Sequence, residues 1–152
     1  MRLLLIGIFL FTFTHKTSNA QQQLDPAMES YQRALQHYHS ASYGKSYQIL
    51  SGLEKKIDDP QSILAIHTHY YKSRSAMQLF HHDADSLMNQ FLMTYPNSTL
   101  YYEASRNLAD YYYQKRAYHK ALEYYTTIDS IQLDKEFRDL YKFNFAYSLF
   151  ST

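Results

Sequence analysis

Small residues recur along this chain of 152 residues at a period of 37 or 38, and that recurrence narrows the folds it can adopt. A first series, spaced 38, 37 and 37 residues apart, consists of Ala34, Lys72, Ala109 and Ala146. A second series, spaced 38 and 37 residues apart, consists of Ser46, Ala84 and Ala121, each twelve residues after its counterpart. Helices that cross closely need small side chains at the contact. The pattern predicts a repeated helix pair, with Lys72 as the exception in size.

Larger side chains flank each member of the second series at fixed spacings in the sequence. Three residues before each member is a ring, namely Tyr43, His81 or Tyr118. Four and seven residues after each member are the large apolar residues Leu50, Leu53, Met88, Phe91, Tyr125 and Ile128. Spacings of three, four and seven place side chains on one face of a helix. We therefore expect the second helix of each pair to bury this face.

The three prolines mark expected helix starts. Asp25-Pro26 and Asp59-Pro60 each combine an N-cap residue with a proline at the first helical position, and Pro96 is followed by the capping residues Asn97 and Ser98. A last helix, capped by Asp134, is expected over residues 137–150. With Gly 3 and Pro 3 against Tyr 17 and Phe 9, the composition favours helices packed with rings over a β-sandwich.

The first twenty residues have the pattern of a secretory signal peptide. Positive charge at Arg2 precedes an apolar run from Leu3 to Phe13, and small residues at Ser18 and Ala20 suit a signal peptidase. We expect cleavage after Ala20, export to the periplasm, and a disordered leader over residues 21–25. The apolar run is too short to span a bilayer. The alternative is a short buried N-terminal helix.

Motifs for catalysis, metal binding and nucleic-acid binding are missing from the sequence. A formal net charge of +1 gives no basic patch, and Cys 0 excludes disulfides and thiolate chemistry. Histidines cluster as His37-x-His39, His67-x-His69 and His81-His82-Asp83-x-Asp85. Residues two apart on a helix point in different directions, and His81 takes the place of a packing ring, so we expect no metal site and no cofactor. Arg106 and Asp110, four residues apart, are expected to form an ion pair on a helix surface. We expect no enzymatic activity.

The residues carry a resemblance to the tetratricopeptide repeat (TPR) family. The motif runs from Tyr118 to Tyr125 as Tyr-x-x-Ala-Leu-x-x-Tyr, with Ala109 before it and Tyr95-Pro96 closing the preceding unit. The phrase from Phe91 to Ser98 resembles BamD-like outer-membrane assembly repeats, although those proteins are anchored through a cysteine that this chain lacks. In the order of its predicted segments, a signal peptide followed by helical repeats, the chain resembles the N-terminal part of large exported multi-repeat proteins of Gram-negative bacteria.

This resemblance implies an all-α, right-handed solenoid of antiparallel helix pairs. We expect repeats at about residues 26–59, 60–96 and 97–133, and a half repeat at 134–152. The Phe- and Leu-rich helix within residues 137–150 would then lack a covering partner. We therefore expect the chain to be part of a longer array and to self-associate through Phe137 to Phe150.

In the repeat fold, the first helices of the pairs line a concave surface. The residues that this places on the surface are Tyr31, Leu35, Tyr38, His69, Ser73, Arg106, Asp110, Tyr113, Phe143 and Tyr147. Tyrosine is favoured at recognition surfaces, but rings at helical spacing also cover neighbouring helices, and the sequence leaves both roles open. The Lys and Asn pattern that clamps a peptide's terminal carboxylate in related adaptors is replaced here by Arg106 and Asp110.

Two functions follow from this resemblance. The first is a protein–protein interaction scaffold of the cell envelope that holds a protein or peptide segment in its concave face. The second is a structural unit of a longer array, or a sensor ectodomain, without a ligand groove of its own. The sequence does not identify the partner.

Overall fold

The computed structural model describes residues 25–152, and these form helices without a strand. The helices are α1 (Pro26–His39), α2 (Tyr43–Glu54), α3 (Ile63–Gln78), α4 (Ala84–Thr94), α5 (Tyr101–Gln114), α6 (Tyr118–Tyr125) and α7 (Lys135–Phe150), with a short 3-10 helix at Ser130–Gln132. Each helix packs against the next, and α1 contacts α3, α3 contacts α5, and α5 contacts α7. The all-α prediction is confirmed, and this packing is consistent with a helical repeat. The predicted signal peptide lies outside the described residues.

Helix α1 begins where the sequence predicts, and helix α3 does not. Asp25 caps α1 as expected, because its side chain accepts a hydrogen bond of 3.0 Å from the Ala27 N–H. The second Asp-Pro pair forms a turn instead, in which the Asp59 carboxylate accepts from the Gln61 N–H. Helix α3 begins only at Ile63, where the Ser62 hydroxyl accepts from the N–H of Ala65.

The later starts are also shifted or uncapped. Ser98 accepts a hydrogen bond from the Leu100 N–H, and α5 begins after this turn, at Tyr101. Asp134 occupies the N-cap position of α7 as predicted, but its side chain makes no capping hydrogen bond. The capping residues in the sequence thus predicted where the chain turns. They identified the N-cap position correctly for α1 and α7 but not for α3 and α5.

Three helices end in the same hydrogen-bonded motif. After α1, α3 and α5 the residue in the left-handed conformation is Ala41, Phe80 or Arg116, with φ of 57°, 53° and 59°. At each end two N–H groups bond back to carbonyls of the last turn, for example His81 N–H to the Ala76 carbonyl at 3.0 Å. This is the Schellman arrangement, which usually has glycine at the left-handed position. Glycine occupies none of these three positions.

The small residues predicted at the helix crossings are buried, with one displacement. Five positions, namely Ala34, Ala109, Ser46, Ala84 and Ala121, have no solvent exposure. In α3 the corresponding residue is Ser73, also fully buried, and not Lys72. Ser73, like Ala34 and Ala109, lies seven residues before the left-handed residue. The prediction failed by one position because only eleven residues separate Ser73 from Ala84, against twelve in the other two pairs.

Lys72 and Ala146 have other environments than predicted. The Lys72 ammonium binds the Glu54 carboxylate at 2.6 Å and so links α3 to α2. Ala146 is exposed, and the half-buried Phe145 takes the position equivalent to Ala109. The C-caps of α5 and α7, Lys115 and Ser151, are 36 residues apart rather than 37, which accounts for that error.

The large residues of the second helices form the core as predicted. Leu50, Met88, Phe91 and Tyr125 are fully buried, and Leu53 and Ile128 nearly so. The rings three residues before the small residues of these helices, Tyr43, His81 and Tyr118, are partly buried against tyrosines. The His81 ring centre is 4.8 Å from that of Tyr47. His81 therefore has a packing role.

Eight of the 17 tyrosines are buried in the core, and several tyrosine hydroxyls connect neighbouring helices. The rings with at most 9% exposure are Tyr31, Tyr38, Tyr70, Tyr95, Tyr111, Tyr112, Tyr125 and Tyr141. The Tyr112 hydroxyl donates to Asp85 of α4 at 2.9 Å, and Tyr124 donates to Asn89 at 2.7 Å. A buried ring with a bonded hydroxyl contributes apolar area without leaving a polar atom unsatisfied. Of the two roles that the sequence left open, packing accounts for these eight rings.

The corrected positions predict different responses to one substitution. Ala121→Leu adds three carbon atoms at a fully buried position and should cost about 1–3 kcal/mol of unfolding free energy. Ala146→Leu is the matched control on an exposed position and should change stability by less than about 0.5 kcal/mol. Urea denaturation followed by circular dichroism measures both. Equal losses would contradict the assignment of Ala121 to a helix crossing.

Candidate functional site

A cleft of about 250 Å³ opens between α3, α5 and the beginning of α7. Its lining from α3 and the turn after it consists of Arg74, Met77, Gln78 and Phe80. Its remaining lining consists of Arg106, Asn107, Asp110, Tyr111 and Gln114 from α5 and Phe137 from α7. All three helices are ones that the sequence predicts to be the first helices of their pairs.

Equivalent positions of α3 and α5 line this cleft. Arg74 and Asp110 each lie five residues before the C-cap of their helix, and Gln78 and Gln114 each lie one residue before it. The same count from Ser151 reaches Ala146 and Phe150 in α7. The cleft is therefore formed by a recurring helix face and not by a single irregular loop.

Asp110 connects three helices below the cleft. Its Oδ2 accepts from Arg106 Nη1 at 2.8 Å within α5. Its Oδ1 accepts from the Tyr125 hydroxyl of α6 at 2.6 Å and from Asn144 Nδ2 of α7 at 3.0 Å. Burial and the nearby Asp110 carboxylate raise the pKa of Tyr125, so its hydroxyl remains a donor at neutral pH. The carboxylate thus fixes α6 and α7 relative to α5.

The predicted Arg106–Asp110 ion pair forms, but it is buried rather than on the surface. The side chains are 7% and 15% exposed. The Arg106 guanidinium lies 4.4 Å from the centre of the Phe137 ring, and its Nη2 donates to the Asn107 amide oxygen. Its Nε is buried and has no hydrogen-bond partner among residues 25–152. Arginine stacks on rings and tolerates such burial better than lysine does.

Arg74 is held less firmly at the other side of the cleft. Its guanidinium lies over the rings of Tyr38 and Tyr70, at 5.3 and 5.7 Å from their centres. Its Nη1 is 3.3 Å from the Glu103 carboxylate, and both side chains are partly exposed. Ion pairs of this kind contribute on the order of 0–1 kcal/mol, so other acceptors can compete for this guanidinium.

The ten predicted site residues fall into three groups. Tyr31, Tyr38, His69 and Ser73 are buried, so a ligand would not reach them without a rearrangement. Leu35, Asp110 and Tyr113 are partly exposed, and Arg106 is buried but lines the cleft. Phe143 and Tyr147 are 62% and 43% exposed on α7. The structure brings Tyr113 and Tyr147 together, with ring centres 5.8 Å apart, and places Arg106 and Asp110 in the cleft.

The sequence prediction missed eight of the ten residues that line the cleft. They are Arg74, Met77, Gln78, Phe80, Asn107, Tyr111, Gln114 and Phe137. A sequence signal was available for three of them. Arg74 lies 36 residues before the predicted Asp110, and Gln78 lies 36 residues before Gln114. Phe80 lies in the turn after α3, where helical spacing gives no information about direction.

His69 is a buried histidine between two rings. Its ring centre is 5.9 Å from Phe91 and 5.7 Å from Tyr95. Burial lowers the pKa of His69, and the neighbouring Lys72 lowers it further, while Glu54 opposes them. His69 is therefore neutral in the folded chain at neutral pH.

Comparisons with known proteins give no relatives: no family model, no curated protein and no solved structure matches this chain. Among residues 25–152, no helix has the length and apolarity needed to cross a membrane. In that same part of the chain, no three His, Cys, Asp or Glu side chains converge as a metal site would require.

Loss of the Asp110 carboxylate should be strongly destabilising. Asp110→Ala leaves the buried Arg106 charge without its partner and should cost about 3–5 kcal/mol of unfolding free energy. Asp139→Ala, on an exposed position of α7, is the matched control and should have little effect. Chemical denaturation measures both. A loss below about 1 kcal/mol for Asp110→Ala would mean that the carboxylate does not fix these helices.

His69 should make stability depend on pH. The unfolded chain binds a proton at this residue near pH 6.5, whereas the folded chain, with its lowered pKa, does not. Stability should therefore fall as pH falls below about 6.5, by at most about 1.4 kcal/mol per pH unit from this group. His69→Phe should reduce the slope between pH 7 and 5, and His82→Gln, at an exposed histidine, should not. Thermal unfolding across this range would show equal slopes if His69 were not responsible.

Proposed function

We propose that this chain is a non-enzymatic protein–protein interaction scaffold of the cell envelope. It holds a protein or peptide segment on the face formed by α1, α3, α5 and α7. The observation that supports this most directly is the cleft between α3, α5 and α7, lined by side chains at equivalent positions of successive helices. A recurring face of this kind presents side chains to a bound chain at regular intervals.

The proposal includes a right-handed solenoid of about three and a half TPR-like repeats. The recurring Schellman ends after α1, α3 and α5, and the buried small residues at related positions of each helix pair, support it. We also propose that residues 1–20 direct the chain to the periplasm and are removed there. The tripartite pattern around the apolar run from Leu3 to Phe13 supports export.

A second candidate is a structural role, in a longer array or a sensor ectodomain, with self-association through Phe137 to Phe150. The exposed apolar residues of α7 favour it. Leu140 and Leu149 are 51% and 55% exposed, and Phe150 is 90% exposed. Apolar surface of this extent on one helix is a common feature of interaction sites. Contact between α7 helices of two copies would cover it without any ligand in the cleft.

Site-specific crosslinking in a Gram-negative host can separate the two candidates. A photoreactive residue replaces Gln114 in the cleft, Leu149 on α7, or Gln90 on α4 as an exposed control. For a scaffold, Gln114 should capture a distinct protein that Gln90 does not capture. The captured segment should be identified by mass spectrometry, and Phe143→Ser should weaken its capture at Gln114. The crosslinked chain should begin at Gln21.

The other outcomes are equally specific. Capture of a second copy at position 149, with nothing distinct at position 114, would favour the structural role. The same products from positions 114 and 90 would contradict a binding face at the cleft. A crosslinked chain that begins at Met1, or one found only in the cytoplasm, would contradict export.

A further inference from the structure

The charged groups of the cleft lining are two guanidinium groups, of Arg74 and Arg106, and one carboxylate, of Asp110. Asp110 is the one acidic side chain in its lining, and both of its oxygens already accept from Arg106, Tyr125 and Asn144. The Asn107 amide is also occupied, since it accepts from Arg106 and donates to the Tyr70 hydroxyl. The guanidinium of Arg74 and the amides of Gln78 and Gln114 are left for a ligand. This lining matches a ligand that carries acceptors and negative charge.

Arg74 is the group best placed to meet such a ligand. Its pairing with Glu103, at 3.3 Å, uses one nitrogen of a guanidinium that has five N–H donors. Its stacking over Tyr38 and Tyr70 fixes the plane of the group without consuming those donors. A carboxylate can therefore bind Arg74 while its contacts with the tyrosines are kept.

Phe80 adds an apolar contact at the same cleft. It is 67% exposed and has φ of 53°, a conformation that is unfavourable for a bulky side chain. The equivalent turns contain Ala41 and Arg116, so the Schellman motif does not itself require a ring here. Burial does not explain this aromatic side chain either. Contact with a bound segment would give it a role.

The α7 end of the same face is apolar. Counted from the helix ends, the α5 residues Asn107, Tyr111 and Gln114 correspond to Phe143, Tyr147 and Phe150 in α7. These three rings are 62%, 43% and 90% exposed. Tyr147 contacts Tyr113 of α5, so the apolar stripe borders the α5 side of the face and is continuous with it. The face thus changes from polar, with the Arg74 guanidinium, at α3 and α5 to aromatic at α7.

We infer that the segment bound on this face has two parts, an acidic part at Arg74, Gln78 and Gln114 and an aromatic or aliphatic part at Phe143, Tyr147 and Phe150. This inference rests on the proposed binding function. Packed helices lie about 8–10 Å apart, so two helix spacings separate α3 from α7 by roughly 16–20 Å. An extended chain advances about 3.3 Å per residue and covers this distance in roughly five or six residues. The acidic group at Arg74 and the apolar groups at α7 should have that separation, with Gln114 of α5 between them.

Four synthetic peptides test this with the full chain by fluorescence polarisation. The first has two aspartates and two phenylalanines separated by five residues. The others replace the aspartates with lysines, replace the phenylalanines with serines, or shorten the separation to one residue. The first peptide should bind at least about tenfold more tightly than each of the others, a difference that one good charge-assisted contact or one buried ring can supply.

Variants of the chain locate the two parts. Gln78→Glu combined with Gln114→Glu should weaken the first peptide at least fivefold and leave the lysine peptide no weaker. Phe143→Ser should weaken the first peptide but not the serine peptide. Gln90→Glu and Met93→Ser are the controls, at exposed positions of α4 away from the inferred contacts, and should have no effect. Circular dichroism confirms that each variant is folded.

The possible failures are distinguishable. If the lysine or the short-spaced peptide binds as tightly as the first one, and Phe143→Ser still weakens binding, the face binds peptides but the inferred chemistry is wrong. If none of the four peptides binds, or if binding is unaffected by the face variants, the inference fails, and capture at Gln114 in the crosslinking experiment decides whether the proposed function fails with it.

Discussion

The Asp110 carboxylate is the interaction on which the cleft depends. It accepts three hydrogen bonds, from Arg106 in its own helix, from Tyr125 of α6 and from Asn144 of α7. Taking a carboxylate out of water is costly unless several donors compensate it, and here a guanidinium and two neutral donors do so. Because these donors come from three helices, the position of α7 relative to α5 is fixed by polar contacts as well as by packing. That position determines the shape of the cleft and the direction of the aromatic stripe.

The sequence was sufficient for the helix pairs because close packing constrains side-chain size. A fully buried Ala109 or Ala121 leaves no space for a larger residue, so small residues recur wherever helices cross. The same logic failed at Lys72, where size alone could not reveal a connection one residue shorter between Ser73 and Ala84. A long side chain can satisfy a nearly buried position by reaching a partner, as Lys72 reaches Glu54. Spacing therefore predicts such positions to within about one residue when connection lengths vary.

The cleft was less predictable than the fold. Helical spacing placed Arg106, Asp110, Phe143 and Tyr147 on one predicted surface. In the structure Arg106 and Asp110 line the cleft, and Phe143 and Tyr147 are exposed on α7. Spacing along a single helix could not show that Tyr125 and Asn144 converge on Asp110 from 15 and 34 residues away. It therefore suggested an exposed ion pair where the structure has a buried one. The abundance of tyrosine was also ambiguous, because a buried ring whose hydroxyl finds an acceptor is as well satisfied as an exposed one.

The rigidity of the face bears on how it would bind a partner. Most of the cleft lining lies on helices whose positions are fixed by buried contacts, so binding would order few loops and lose little conformational entropy. Arg106 is restrained by Phe137, Asn107 and Asp110, and Arg74 is restrained by Tyr38 and Tyr70. The more flexible groups at the surface are the exposed side chains of Gln78 and Gln114 and the exposed rings of Phe143 and Phe150 on α7. If the face binds a segment as proposed, it would discriminate by the spacing of the ligand's groups, because buried contacts such as those of Asp110 resist movement of the helices.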